Sequence, residues 1–330
     1  MKLIGLGIVL LGGLAVMTTL ASSQAKPAGQ QTCAVQHYSL QQLPLRPSGI
    51  NDSSQVVGTS ESHRAGIWTK KDGLQEIAIP PGFDSSEGIA INNAGHIIGI
   101  ALELKTNRRQ GFAYIDGTVR LLPGTNARPF AINDADEIVG ESVARQGISA
   151  PVLWRKSETV ELGGCCGGTT SDINNHSQAI GNLYNQEGRY QAFEWNKSDG
   201  LRHIGPQGAF SSALAINNSG HVLIESFSQG ILLYSGDKAE RLQLSTKLPN
   251  HPKALSDCDA VVGAFGPFSD SDHAFIWDRS LGFRNLNDLV VPNSGWQLRE
   301  ATAINSKGEI VGWGDYKGDE DAGFLLIPQP

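Results

Sequence analysis

Seven times the chain writes a variant of one ten-residue phrase. The copies read GINDSSQVVG at Gly49, AINNAGHIIG at Ala90, AINDADEIVG at Ala131 and DINNHSQAIG at Asp172, then AINNSGHVLI at Ala215, ALSDCDAVVG at Ala254 and AINSKGEIVG at Ala303. The anchor residues are Asn51, Asn92, Asn133, Asn174, Asn217, Ser256 and Asn305, with gaps of 41, 41, 41, 43, 39 and 49. A glycine stands seven residues past the anchor at Gly58, Gly99, Gly140, Gly181, Gly263 and Gly312; Ile224 replaces it in the fifth copy. A period near 40 residues marks one supersecondary unit written over and over.

Two further phrases recur in each period. One is RAGIW, QGFAY, APVLW, QAFEW, QGILL, HAFIW and AGFLL; the other is of the type VRLL or LQEI. Each unit thus holds four apolar runs of strand length rather than helix length. The first two are joined by turns such as NNAG or NDAD. The fourth turn position is Ser54, Gly95, Asp136, Ser177, Gly220, Asp259 or Gly308, residue types suited to positive φ. Dipeptides such as Asp72-Gly73 join the last two runs as hairpins.

Repeated four-stranded antiparallel units predict an all-β fold, a seven-bladed β-propeller. The seventh unit has only three runs and ends at AGFLLIP. The missing run stands at the N-terminus as YSLQQLP, residues 38–44. It is expected to pair with the strand around Phe324 and close the last blade, because an open ring would expose two sheet edges. The expected organisation is a signal peptide over 1–25, a linker over 26–37 and a single propeller domain over 38–328. Blades should start near 48, 88, 129, 170, 212, 252 and 300.

The N-terminus reads as an export signal: Lys2, an uncharged apolar run over 3–20 and small residues over 21–25. A secreted or periplasmic protein with no integral membrane domain after cleavage is expected. Net charge is −7, with no basic run, which excludes a nucleic-acid binder, since phosphate neutralisation needs clustered Lys and Arg. Export permits disulfides. Cys33, Cys165, Cys166 and Cys258 allow three pairings, among which the sequence does not choose.

The alternation of AIN..G.IVG with HAFIW resembles the HAF-type extracellular repeat family of bacterial proteins, over roughly 38–327. The resemblance implies an exported, repeat-built β protein. It brings no established activity and no catalytic residues.

The chain has no Gly-x-Ser-x-Gly, and its eight histidines are scattered; no catalytic residue and no cofactor is assigned. His96 and His221 share one repeat offset, which marks a structural slot. The recurring asparagines read as scaffold, because Asn bonds its own turn backbone. Trp68, Trp154, Trp195 and Trp277 share one third-strand position and read as packing between blades.

Function is expected where repeats differ, on the loops joining strand two to three and blade to blade. Candidate binding residues there are Arg108, Arg109, Tyr184, Arg189, Tyr190, Trp296 and Arg299. Asp270, Asp272, Asp315, Asp319 and Asp321 are candidate calcium ligands. The expected role is a monomeric, non-catalytic binding or scaffold module for a protein or glycan. The alternatives are a polysaccharide-acting propeller enzyme and a purely structural envelope component.

Overall fold

The computed structural model describes residues 35–329, apart from 144–146, 157, 164–166, 207, 209, 245–247 and 268–271. The expected signal segment, together with Cys33, Cys165, Cys166 and Asp270, lies outside the described residues.

The described chain forms 28 strands in seven four-stranded antiparallel sheets. Blade one is β2 (Arg46–Ile50), β3 (Val56–Thr59), β4 (Ala65–Thr69) and β5 (Gly73–Glu76). Blades two to six repeat that meander as β6–β9, β10–β13, β14–β17, β18–β21 and β22–β25. Blade seven is β26 (Trp296–Ile304), β27 (Ile310–Tyr316), β28 (Asp319–Gln329) and, at its outer edge, β1 (His37–Leu43). The N-terminal strand therefore closes the ring. Its register sets Leu40 against Leu326 and Gln42 against Phe324.

The repeated phrase is the hairpin of the two innermost strands. All seven residues in the fourth turn position have positive φ, from 59° at Asp136 to 82° at Gly95. Next to them, the paired apolar residues of the second strand divide between two neighbours. Val56 packs toward blade seven and Val57 toward blade two, because successive strand residues face opposite sides. Repeated seven times, this yields seven apolar clusters, one for each blade interface, including that between blades seven and one.

The third-strand tryptophans fill these interfaces. Trp68, Trp154 and Trp277 are buried, and Trp154 Nε1 donates to Pro123 O at 2.9 Å. The glycines at offset +7 answer to a close approach of backbone. A Cβ on Gly140 would stand 2.0 Å from Arg128 O, and one on Gly312 2.0 Å from Glu300 O. Ile224, in the same register opposite Ala213, is fully buried.

Candidate functional site

The hairpin turns of the repeated phrase gather at one end of the ring; the blade-to-blade connections gather at the other. The two ends differ chemically.

At the turn end each anchor asparagine performs two tasks. Its Oδ1 accepts from backbone N–H groups two and four residues on, as Asn92 does from Ala94 and His96. Its Nδ2 donates to the anchor carbonyl of the next blade. Asn51 reaches Asn92 at 2.9 Å, Asn92 reaches Asn133 at 3.0 Å, and Asn133 reaches Asn174 at 3.1 Å. Asn174 reaches Asn217, Asn217 reaches Ser256 and Asn305 reaches Asn51, each at 3.0 Å. The following residues form a second belt, in which Asn93 N donates to Asp134 Oδ1 and Asp134 N to Asn175 Oδ1, both at 2.9 Å. Only a 180 Å³ recess remains between them.

A third tie joins offset +4 of one blade to the fourth turn residue of the next. His96 Nδ1 meets Asp136 Oδ1 at 2.7 Å, and His221 Nδ1 meets Asp259 Oδ1 at 2.7 Å. Ser177 Oγ donates to Glu137 Oε2, and Ser54 Oγ to Glu309 Oε2. Partial burial resists protonation of His96. The hydrogen bonds and charges of Asp136 and Asp116 outweigh it and raise its pKa above the ordinary imidazole value. The turn end is thus a saturated polar scaffold.

The connection end opens into a funnel of about 1280 Å³. Its walls come from offsets at which the repeats disagree. All seven inner strands carry a register shift at offsets −4 to −2. Such a bulge re-aims the extra residue. At offset −3, Ser48, Ile89, Phe130, Lys253 and Thr302 line the funnel; at −5, Arg46, Glu87 and Glu300 do; at +8, Thr59 and Trp313 do. The hydroxyls partly serve the scaffold, Ser48 Oγ donating to Gly88 O at 2.7 Å and Thr302 Oγ1 to Pro47 O at 3.3 Å. The larger side chains form a network. Arg46 lies 4.5 Å over the Trp313 ring and 3.6 Å from Asp321. Trp313 Nε1 donates to Glu300 Oε1 at 3.4 Å, and Glu300 pairs with Lys253 at 3.3 Å. Among the described residues, Glu61, His63 and Glu87 line the same wall with no side-chain partner. An indole flanked by cations and carboxylates can stack a ring and hydrogen-bond its rim.

The loop residues singled out by sequence fall elsewhere. Arg108 and Arg109 are exposed, and Arg108 is paired with Glu103 at 3.0 Å and stacked over Phe83. Tyr184 and Tyr190 face each other across blade four, edge to face, and Tyr190 continues to Phe210. These three exposed aromatics make a separate patch, with Arg189 beside it paired to Glu187 at 3.5 Å. Trp296 is stacked on Tyr316 within blade seven, and Arg299 is held by both oxygens of Asp315. Asp321 and Asp319 stand at the funnel wall; Asp272 lies beside Gly266. Among the described residues no group of three or more His, Cys, Asp or Glu is placed to hold a metal.

One inner-strand carboxylate breaks the small-residue pattern at offset −2. Asp172 stands where other blades have Gly49 or alanine. Desolvation pushes its pKa up to about 6, against the pull of hydrogen bonds from Ile216 N and Ile173 N. The residue keeps some surface, but its carboxyl is enclosed by protein, and the carboxyl governs titration. It does not line the funnel.

No family model matches the chain, and no curated protein matches it. Solved structures share its fold. The β-propeller domain of the trilobed protease from Pyrococcus furiosus, described as an open velcro topology, aligns at TM-score 0.56 and 10% identity. That match covers 88% of this chain and 94% of that one. An acylaminoacyl peptidase aligns at TM-score 0.55 and 10% identity, covering 85% of this chain and 51% of that one. A puromycin hydrolase aligns at 0.55 and 14%, covering 81% and 50%. The chain spans about half the length of these two proteins. At such identities the likeness is one of fold: a β-propeller, closed in this chain by its own first strand.

Proposed function

We propose that the chain is an exported β-propeller of the HAF-repeat type, acting as a non-catalytic binding module that receives a protein or glycan partner in its funnel. One observation carries the reading. Just outside the repeated phrase, offsets −5, −3 and +8 change in chemistry from blade to blade, and side chains at these offsets line the funnel. Recognition needs different groups around one opening. Export follows from the N-terminal signal pattern.

Two of the funnel's acids are committed to ion pairs. Glu300 and Asp321 are held by Lys253 and Arg46, and the carboxylate with a markedly raised pKa, Asp172, lies outside the funnel. A glycan array and a peptide array probed with the purified chain test the proposal. Binding that Trp313→Ala and Glu87→Ala abolish, with melting temperature preserved, supports it. Binding that survives both changes places the partner elsewhere and refutes the funnel reading.

A further inference from the structure

The charges that line the funnel do not balance. Among the described residues, five carboxylates, Glu61, Glu87, Glu300, Asp319 and Asp321, face one arginine and one lysine, Arg46 and Lys253. Both cations are already spent, Arg46 on Asp321 and Lys253 on Glu300. Glu61, Glu87 and Asp319 are exposed and have no cationic partner among the described residues. Glu61 lies between β3 and β4 of blade one, Glu87 on the inner strand of blade two and Asp319 at the start of β28 in blade seven. Three adjacent blades thus present an uncompensated acidic arc to one opening.

The same wall shows the kind of group it takes. The Arg46 guanidinium lies 4.5 Å over the Trp313 ring with the Asp321 carboxylate beside it, a cation on an aromatic face held by an acid. Ile89 and Phe130 add apolar surface to the lining. A chain with basic and apolar side chains meets both kinds of surface, whereas an anionic ligand is repelled by the arc. The 1280 Å³ of the funnel also exceeds the roughly 300–1,000 Å³ that encloses a small ligand, leaving room for a segment of polypeptide.

We infer that the funnel receives a basic peptide segment of a partner protein, whose Lys or Arg side chains pair with Glu61, Glu87 and Asp319. The inference rests on the funnel being the binding site and assigns the chemistry of what enters it. The acids lie in a concave opening, which focuses their field, so association should be quickest at low salt.

Fluorescence anisotropy with a labelled peptide of alternating Lys and Ser, and with its Glu-for-Lys counterpart, tests the assignment. The Lys peptide should bind, more weakly as salt rises, and the Glu peptide should not. Glu61→Gln with Glu87→Gln should weaken binding roughly five- to tenfold at an unchanged melting temperature. Glu158→Gln with Glu161→Gln, on the exposed outer strand β13 (Glu158–Glu161) of blade three, removes the same net charge and should leave binding as it was. Equal weakening by the two double variants would mean attraction to net charge alone and overturns the inference. No binding of the Lys peptide, preference for the Glu peptide, or displacement by spermidine at the same affinity overturns it too. An array-identified partner lost on Trp313→Ala but indifferent to Glu61→Gln with Glu87→Gln keeps the funnel as the site and overturns only its charge preference. Lys-peptide binding that survives Trp313→Ala lies outside the funnel and overturns both readings.

Discussion

Asn305 Nδ2 donates to the carbonyl of Asn51 at 3.0 Å, across 254 residues of sequence. The same bond joins Asn51 to Asn92, 41 residues apart. The amide that closes the ring thus repeats the amide that builds it. Removing one such amide strips a blade joint and a turn cap together. Asn92→Ala leaves the Ala94 and His96 N–H groups without their acceptor, at about 1–3 kcal/mol each, and takes one of two donors from the Asn133 carbonyl, which keeps Asp136 N. A fall in melting temperature of roughly 5–15 °C is expected, read by calorimetry. A shift below a degree would mean that the relay carries no stability.

Gly140 tests the close approach of inner strands. Its Cβ position is 2.0 Å from Arg128 O, so Gly140→Ala must push two paired backbones apart. Strain of that kind costs about 1–3 kcal/mol, and chemical denaturation should show a lowered midpoint. Gly117→Ala is the control for space, since nothing lies within 4 Å of its Cβ position; its φ of 77° carries a separate backbone strain. Equal losses in the two variants would show that backbone conformation, not the approach of Arg128, sets the cost.

Asp172 and His96 give the fold a pH dependence of one sign. The folded chain holds the Asp172 proton up to about pH 6, whereas the unfolded chain releases it near pH 3.9. Stability therefore falls as pH rises between those values, by on the order of 3 kcal/mol, and is level above them. The contribution of His96 is complete below its unfolded pKa, about 6.5, and is lost as pH rises through its raised folded value. Melting temperatures from pH 4 to 8 should lose the lower slope in Asp172→Ala and the upper slope in His96→Gln. Slopes unchanged in both variants would contradict these assignments.

The closing strand gives the largest expected effect. β1 pairs along its whole length with β28 and buries Tyr38 and Leu43. Deleting 36–44 exposes that edge and forfeits two buried side chains, about 3–6 kcal/mol in transfer terms. The melting temperature should fall by roughly 10–20 °C. An unchanged curve would rule out the closure.

The scaffold was written plainly in the sequence and the funnel was not, for a physical reason. Positions that must satisfy one geometry in every blade recur, so Asn92, Gly99 and Trp154 are visible by repetition. The cross-blade half of each asparagine's work was hidden, because turn chemistry within one copy accounts for the residue without its neighbour. Funnel residues such as Glu87, Phe130 and Trp313 fall at offsets without a consensus and look like drift until the fold gathers them at one opening. A comparison of the copies offset by offset carries the signal. The variable loops drew attention to Trp296 and Arg299, whose side chains are spent on Tyr316 and Asp315 inside blade seven.

The division between a binding funnel and a structural turn end is tested most directly by a hydrogen-exchange footprint of the chain with an array-identified partner bound. Slowed exchange should centre on 46–48, 87–89 and 313–314, leaving the turns at 92–95 and 133–136 unchanged. Protection centred on those turns, or confined to the aromatic patch at 184–190, would contradict the account.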